Sequence, residues 1–180
     1  MRRLIVSNLM SLDGFFEGPN KEFDWFVPDE EFFDYSKQLL RSVDTLIFGA
    51  RTYAHMAAYW PSAPPDEIAD KMNNLPKIVF SKTLKQAHWK NSRLAGGNTQ
   101  EEITKLKEQP GKDMVILGSA SLASSVLQMG LIDQYRVILN PILLGRGNPL
   151  FQNLTGRIRM KLLKTKTLRS GVVILYYEKA

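Results

Sequence analysis

The sequence predicts a three-layer α/β fold: a mixed, mostly parallel sheet flanked by helices and closed by a C-terminal antiparallel hairpin. Three observations predict it. Short apolar runs of strand type alternate with helical patterns over about the first 140 residues. Several of these runs end in Gly or Ser, where a chain leaves a strand for a helix or loop. The last stretch reads as two strands around Arg169-Ser170-Gly171. No repeat, low-complexity tract or Pro/Gly/Ser linker divides the chain, so residues 1–180 are read as a single domain.

Arg3–Leu9 is mostly apolar and stops at Ser11-Leu12-Asp13-Gly14, a strand followed by a turn. Residues 15–27 are aromatic and loop-like, with Gly18-Pro19-Asn20 as turn chemistry. Pro28-Asp29-Glu30-Glu31 places Pro and acids where a helix begins, and Phe32, Tyr35, Leu39 and Val43 follow at helical spacing. Thr45–Phe48 is a short buried-type strand, and Arg51–Tyr59 a helix. A loop from Trp60 to Pro65 leads to a polar helix over Asp66–Asn74, then to the strand Lys77–Phe80. Glu101–Glu108 is a surface helix closed by Pro110-Gly111, Met114–Leu117 a buried strand, and Leu122–Met129 a helix ended by Gly130. Tyr135–Leu139 is a strand, and Pro141–Leu154 a Gly/Pro-rich loop. The hairpin pairs Ile158–Leu168 with Val172–Glu178, and the change of face at Leu162-Leu163 predicts a bulge.

Composition narrows the function. Apolar residues make up 44% and charged residues 23%, an ordinary globular balance. No cysteine is present, which excludes disulfides, thiol catalysis and Cys-ligated metals. His55 and His88 are the only histidines, too few for a multi-His metal centre, so no metal site is predicted. No apolar run reaches the roughly 18–20 residues that span a bilayer. The short stretch after Arg2-Arg3 soon meets Asp13. A soluble, cytoplasmic protein with no membrane partner is expected. The formal charge is +6, with −1 on residues 1–90 and +7 on residues 91–180. A basic half suits an anionic ligand such as a nucleotide.

Four junctions could bind one, because ligands of open α/β sheets sit past the carboxyl ends of strands, where helix N-termini attract anions. Gly49-Ala50-Arg51-Thr52 offers a cation and a hydroxyl; a plain helix cap would look the same. Ser81-Lys82 follows a strand directly and suits a phosphomonoester, or a simple turn. Gly118-Ser119-Ala120-Ser121 is small enough for close approach of a pyrophosphate, or for ordinary capping. Gly145-Arg146-Gly147 shapes a loop with no helix after it, so it is neither a dinucleotide turn nor a phosphate loop. Asp13, Asp29, Glu30 and Glu31 are candidate proton donors, and all four also suit turns or caps. Arg157, Arg159, Lys161, Lys164 and Lys166 could bind nucleic acid, but no aromatic residues interleave with them. Protection of an edge strand is the better reading, which makes a nucleic-acid partner disfavoured.

In order and spacing these pieces resemble the dihydrofolate reductase superfamily. The closer likeness is to the reductase domain of the bacterial bifunctional riboflavin-biosynthesis deaminase–reductase and its stand-alone relatives. It rests on Ser11-Leu12-Asp13-Gly14, Phe48–Tyr53, Ile78–Leu84, Leu117-Gly118-Ser119, and Gly130–Tyr135 running into Pro141–Gly147 and Leu150-Phe151. The resemblance implies a dihydrofolate-reductase-like fold with NADPH laid across the strand ends. Gly49, Arg51 and Thr52 would meet the cofactor phosphates, and Ser81 and Lys82 the 2′-phosphate. Gly118, Ser119, Ala120 and Ser121 would line the pyrophosphate. Gly145 and Gly147 would border the nicotinamide or the substrate. Asp13 and Glu30 are the catalytic acids to test, Glu30 being the nearest match to the acid that contacts the pterin in dihydrofolate reductases.

The implied activity is hydride transfer from NADPH to a small heterocycle, of the 5-amino-6-(5-phosphoribosylamino)uracil reductase type. The substrate is expected to be an aminopyrimidine or pterin-like ring that could carry a ribosyl or ribityl phosphate. The rivals are a non-catalytic nucleotide- or nucleic-acid-binding protein on the same fold, and dihydrofolate reductase itself. The zinc deaminase half of the bifunctional protein has no counterpart, since there is no Cys and no His-x-Glu. A homodimer is expected by resemblance, with the apolar residues of the last two strands and of the 142–151 loop either at the contact or in the core.

Overall fold

The computed structural model describes all 180 residues. In chain order the elements are β1 (Leu4–Ser11), β2 (Phe15–Glu17), α1 (Glu30–Ser42), β3 (Val43–Gly49), α2 (Ala50–Tyr59), α3 (Glu67–Asn74), β4 (Lys77–Phe80) and β5 (Ser92–Leu94). There follow α4 (Thr99–Glu108), β6 (Asp113–Leu117), α5 (Ala120–Gln128), β7 (Gln134–Asn140), β8 (Asn148–Pro149), β9 (Met160–Thr167) and β10 (Val173–Lys179). Eight strands form one sheet in the order β5-β4-β3-β6-β1-β7-β10-β9. Neighbours from β5 to β7 pair in parallel, and β10 runs antiparallel to both β7 and β9.

Two apolar layers sandwich the sheet. α1, α2 and α3 pack on one face through Tyr35, Leu39, Tyr53 and Met72, against Ile5, Phe48 and Ile174. α4 and α5 pack on the other through Ile103, Leu106, Ala123 and Val126, against Leu4, Val6 and Ile116. β1 lies at the centre, so its apolar residues alternate between the two cores and are buried on both faces. No helix is long and apolar enough to cross a membrane.

The expected fold class is the observed one. The hairpin carries its bulge: Tyr176 pairs with Lys164 and Tyr177 with Leu162, leaving Leu163 unpaired. β9 is an edge strand, and two of its three lysines are tied locally, Lys161 to Glu178 and Lys164 over the Tyr176 ring. Three short strands escape sequence patterning. β5 extends the sheet beyond β4, while β2 and β8 pair with each other, turning part of the aromatic 15–27 segment from loop into ribbon.

Helix starts separate into two kinds. Asp29, Asp66 and Asn98 accept backbone N–H bonds at the starts of α1, α3 and α4. α2 and α5 have no side-chain cap and no acid in the first turn. Both begin at the carboxyl ends of parallel strands, β3 and β6.

Arg2, Glu17 and Lys77 are the buried charged residues, and Lys77 braces the frame. The Lys77 ammonium donates to the carbonyls of Asn73, Leu75 and Lys90 and lies 4.3 Å from the Trp89 ring centre. Burial, with some repulsion from Lys90, lowers its pKa to about 8. It therefore ties the end of α3 to the chain entering β5.

Candidate functional site

The carboxyl ends of β3, β4 and β6 open onto a polar groove of about 750 Å³. Gly49, Arg51, Thr52, Ser81, Lys82, Ser119, Ala120 and Ser121 all line it. Gly118, expected beside the pyrophosphate, lines a second cavity and not the groove. The three strand-end segments singled out from sequence thus converge on one surface.

Hydrogen bonds lock two of the junctions together. The Gly49 N–H donates to Ser119 Oγ at 2.9 Å, and the Ser119 N–H donates to Thr52 Oγ1 at 3.0 Å. Gly118 and Ser119 are both left-handed, at φ +61° and +55°. A Cβ on Gly118 would stand 3.1 Å from Thr52 Cγ2, so glycine permits the close packing of β6 on α2. Because Ser119 Oγ serves Gly49 rather than its own helix, the N–H groups of Ala120, Ser121 and Leu122 stay free. Uncapped N–H groups and the positive end of the helix dipole face the groove, which is what an anionic group requires.

Charge in the groove follows the same logic. Lys82 is exposed and has no carboxylate partner. Ser81 Oγ accepts from the N–H groups of Thr83 and Leu84, which holds the hydroxyl at the strand end. Arg51 is half exposed and donates to Glu17 Oε1 at 2.7 Å. Glu17 is 1% exposed; Asn148 Nδ2 also donates to its Oε1, while its Oε2 is buried without a partner. Sequence reading missed Glu17, because its place is set by the β2–β8 pairing.

The second cavity, of about 540 Å³, adjoins the groove at Arg51 and Thr52. α1, α2 and the 23–26 segment wall it with Phe23, Phe26, Phe32, Met56, Tyr59 and Trp60. At its lining the Tyr35 hydroxyl and Ser7 Oγ lie 2.9 Å apart. Burial raises the Tyr35 pKa to about 12, so the phenol stays neutral and protonated. No carboxylate lines this cavity, and His55 stands at its wall. None of these groups was singled out as a site residue from sequence. The helical spacing that carries Tyr35 signals core packing, and a cavity wall has the same signature.

Four predicted site residues fall outside both spaces. Asp13 accepts from Ser11 Oγ at 2.7 Å and from the N–H groups of Leu144 and Gly145. These bonds, Ser11 first, hold its carboxyl below the usual range and tie it to the 142–147 loop. Glu30 is the exposed first residue of α1, facing solvent at the positive end of that helix. Gly145 and Gly147 lie in the loop that Asp13 and β2 hold. A Cβ on Gly147 would meet the Glu17 carbonyl oxygen at 2.3 Å, so Gly147 permits the β2–β8 contact that buries Glu17.

The family model described as the RibD C-terminal domain matches residues 2–174. The uncharacterized protein YyaP of Bacillus subtilis (strain 168) is 36% identical over 182 residues, covering 98% of this chain and 94% of YyaP. A protein from Shewanella sp. PV-4, provisionally assigned to riboflavin biosynthesis, superimposes with a TM-score of 0.82 at 24% identity over 99% of both chains. The deaminase/5-amino-6-(5-phosphoribosylamino)uracil reductase of Thermotoga maritima superimposes at 0.71 and 13% identity, over 99% of this chain and 57% of that one. Dihydrofolate reductase from Enterococcus faecalis, solved with NADP(H), superimposes at 0.68 and 14% identity over 98% and 96%. The match to the family model across nearly its whole length places the chain in the RibD C-terminal domain family of reductase-like proteins, on a dihydrofolate-reductase-like fold.

Proposed function

We propose that the protein is an NADPH-dependent reductase that delivers hydride to an electrophilic carbon of a small heterocyclic substrate. One observation carries the reading: a polar groove with two uncapped helix N-termini adjoins an aromatic cavity at Arg51 and Thr52. The residues fit the cofactor. The free N–H groups at the start of α5, with Thr52, suit its pyrophosphate. Ser81 and unpaired Lys82 suit the 2′-phosphate. The unpartnered oxygen of Glu17 suits a hydroxyl or amide donor. When bound, NADPH supplies the hydride; the protein supplies position, charge and exclusion of water.

The aromatic walls hold the substrate ring and keep bulk water from its face. With no carboxylate at the cavity, the proton comes from solvent at the open side, where His55 is the wall residue able to relay it. The exposed side chains of Leu143, Phe151, Leu162 and Leu163 support the proposal of a homodimer.

The test is titration of the protein with NADPH and with NADH, read by tryptophan fluorescence and calorimetry. NADPH is expected to bind at least about tenfold more tightly, and Ser81→Ala/Lys82→Ala to abolish most of that preference. Binding of neither cofactor overturns the reductase reading. Binding without NADPH oxidation across a panel of heterocycles supports a nucleotide-binding protein without catalysis.

A further inference from the structure

The lining of the aromatic cavity specifies more than a ring. Fifteen of its 21 lining residues are hydrophobic, and no Lys, Asp or Glu is among them. Its two basic side chains are poor phosphate ligands. Arg51 is already bound to the buried Glu17 carboxylate, and His55 is a single exposed imidazole. The polar groups within the lining are neutral: Ser7 and Tyr35 hydrogen-bond one another, with Arg136 near the Tyr35 hydroxyl but not in the lining, and Ser36 Oγ donates to the Phe32 carbonyl. The free features of the anion-binding kind, Lys21, Lys82 and the uncapped start of α5, belong to the groove next door, and the start of α2 borders both spaces.

A phosphate monoester carries nearly two charges, and moving it from water into a lining whose one guanidinium is already paired with a carboxylate is costly. The Thermotoga maritima reductase, by contrast, is named for a phosphoribosylated substrate. We infer that this cavity takes an uncharged, planar aromatic or quinonoid ring system that bears no phosphate. The inference rests on the reductase reading for its catalytic meaning, but the cavity's preference is measurable without the cofactor. Charge is sorted between the two spaces: phosphates to the groove, a neutral ring to the cavity.

Matched pairs differing by one phosphate test it: 1-naphthol against 1-naphthyl phosphate, and riboflavin against FMN. Each is titrated into the protein with and without NADP⁺, by calorimetry and by quenching of tryptophan fluorescence, since Trp60 lines the cavity. The neutral member of each pair is expected to bind at least about tenfold more tightly. Adding a permanent cation at the cavity wall with His55→Arg is expected to narrow the preference, raising affinity for the phosphorylated members relative to the neutral ones. Phosphorylated members binding as well as or better than neutral ones overturn the inference, as does failure of every neutral ring to bind. Neither result touches the reductase reading, which stands or falls on NADPH. Loss of NADPH binding with the neutral preference intact overturns that reading alone.

Discussion

Lys77 shows how one residue can hold three segments through its head and its stem. Removing the ammonium strands the carbonyls of Asn73, Leu75 and Lys90 in a buried place. Lys77→Met keeps the stem and is expected to cost about 1–3 kcal/mol, measured by urea unfolding at pH 7. The sign of its pH dependence also follows. With a folded pKa near 8 and an unfolded value of about 10.4, this lysine binds fewer protons in the fold between those limits. Its contribution to stability therefore rises with pH across that window. Unfolding curves at pH 7.5 and 9.5 are expected to show a more positive slope in the wild type than in Lys77→Met; equal slopes refute the assignment. At this scale the sequence was partly legible. Ser81, Lys82 and Ser119 announce themselves because small or charged residues directly after a strand have few structural reasons to be there. Asp13 and Glu30 are harder to read, because a carboxylate near a turn or helix start looks the same whether it binds backbone N–H groups or a substrate. Glu17 is silent, since no local pattern marks an acid whose burial depends on a distant loop.

Between elements, the contact of the β3–α2 junction with the β6–α5 junction sets the groove. Gly118→Ala meets two penalties, a left-handed backbone and a Cβ 3.1 Å from Thr52 Cγ2. It is expected to cost about 1–2 kcal/mol in thermal melts and to weaken NADPH binding. Thr52→Ser removes the opposing methyl and keeps the hydroxyl that accepts from Ser119, so the double variant is expected to recover part of the loss. No recovery would mean that backbone strain alone accounts for the cost. Long periodic elements and their junctions could be read from the chain, and so could the bulge opposite Tyr176 and Tyr177. β2, β5 and β8 could not, because strands of two or three residues carry no periodicity and exist only through partners elsewhere in the sequence.

For the molecule as a whole, buried phenols set the alkaline limit. Burial raises the pKa of Tyr35 to about 12 and shifts Tyr135 and Tyr176 upward as well. Unfolded tyrosines ionise near about 10, so the fold holds more protons than the unfolded chain above that pH. Stability is therefore expected to fall as pH rises from about 10 towards 12. Thermal melts across that range check the fall, and absorbance at 295 nm is expected to show a step of tyrosine ionisation that coincides with unfolding. A smooth titration of all six tyrosines before unfolding would count against the burial assigned to these three.

The central place of β1 has a consequence for how the chain is made. Its partners, β6 and β7, lie more than a hundred positions further along the sequence. At roughly 5–20 residues per second of synthesis, the strand waits some seconds to tens of seconds for either neighbour. During that interval an apolar segment destined for the middle of the sheet stands in water with both edges open. The newborn chain is thus most exposed to wrong partners at its first strand, and slower, cooler expression or a holding chaperone should raise the yield of native protein.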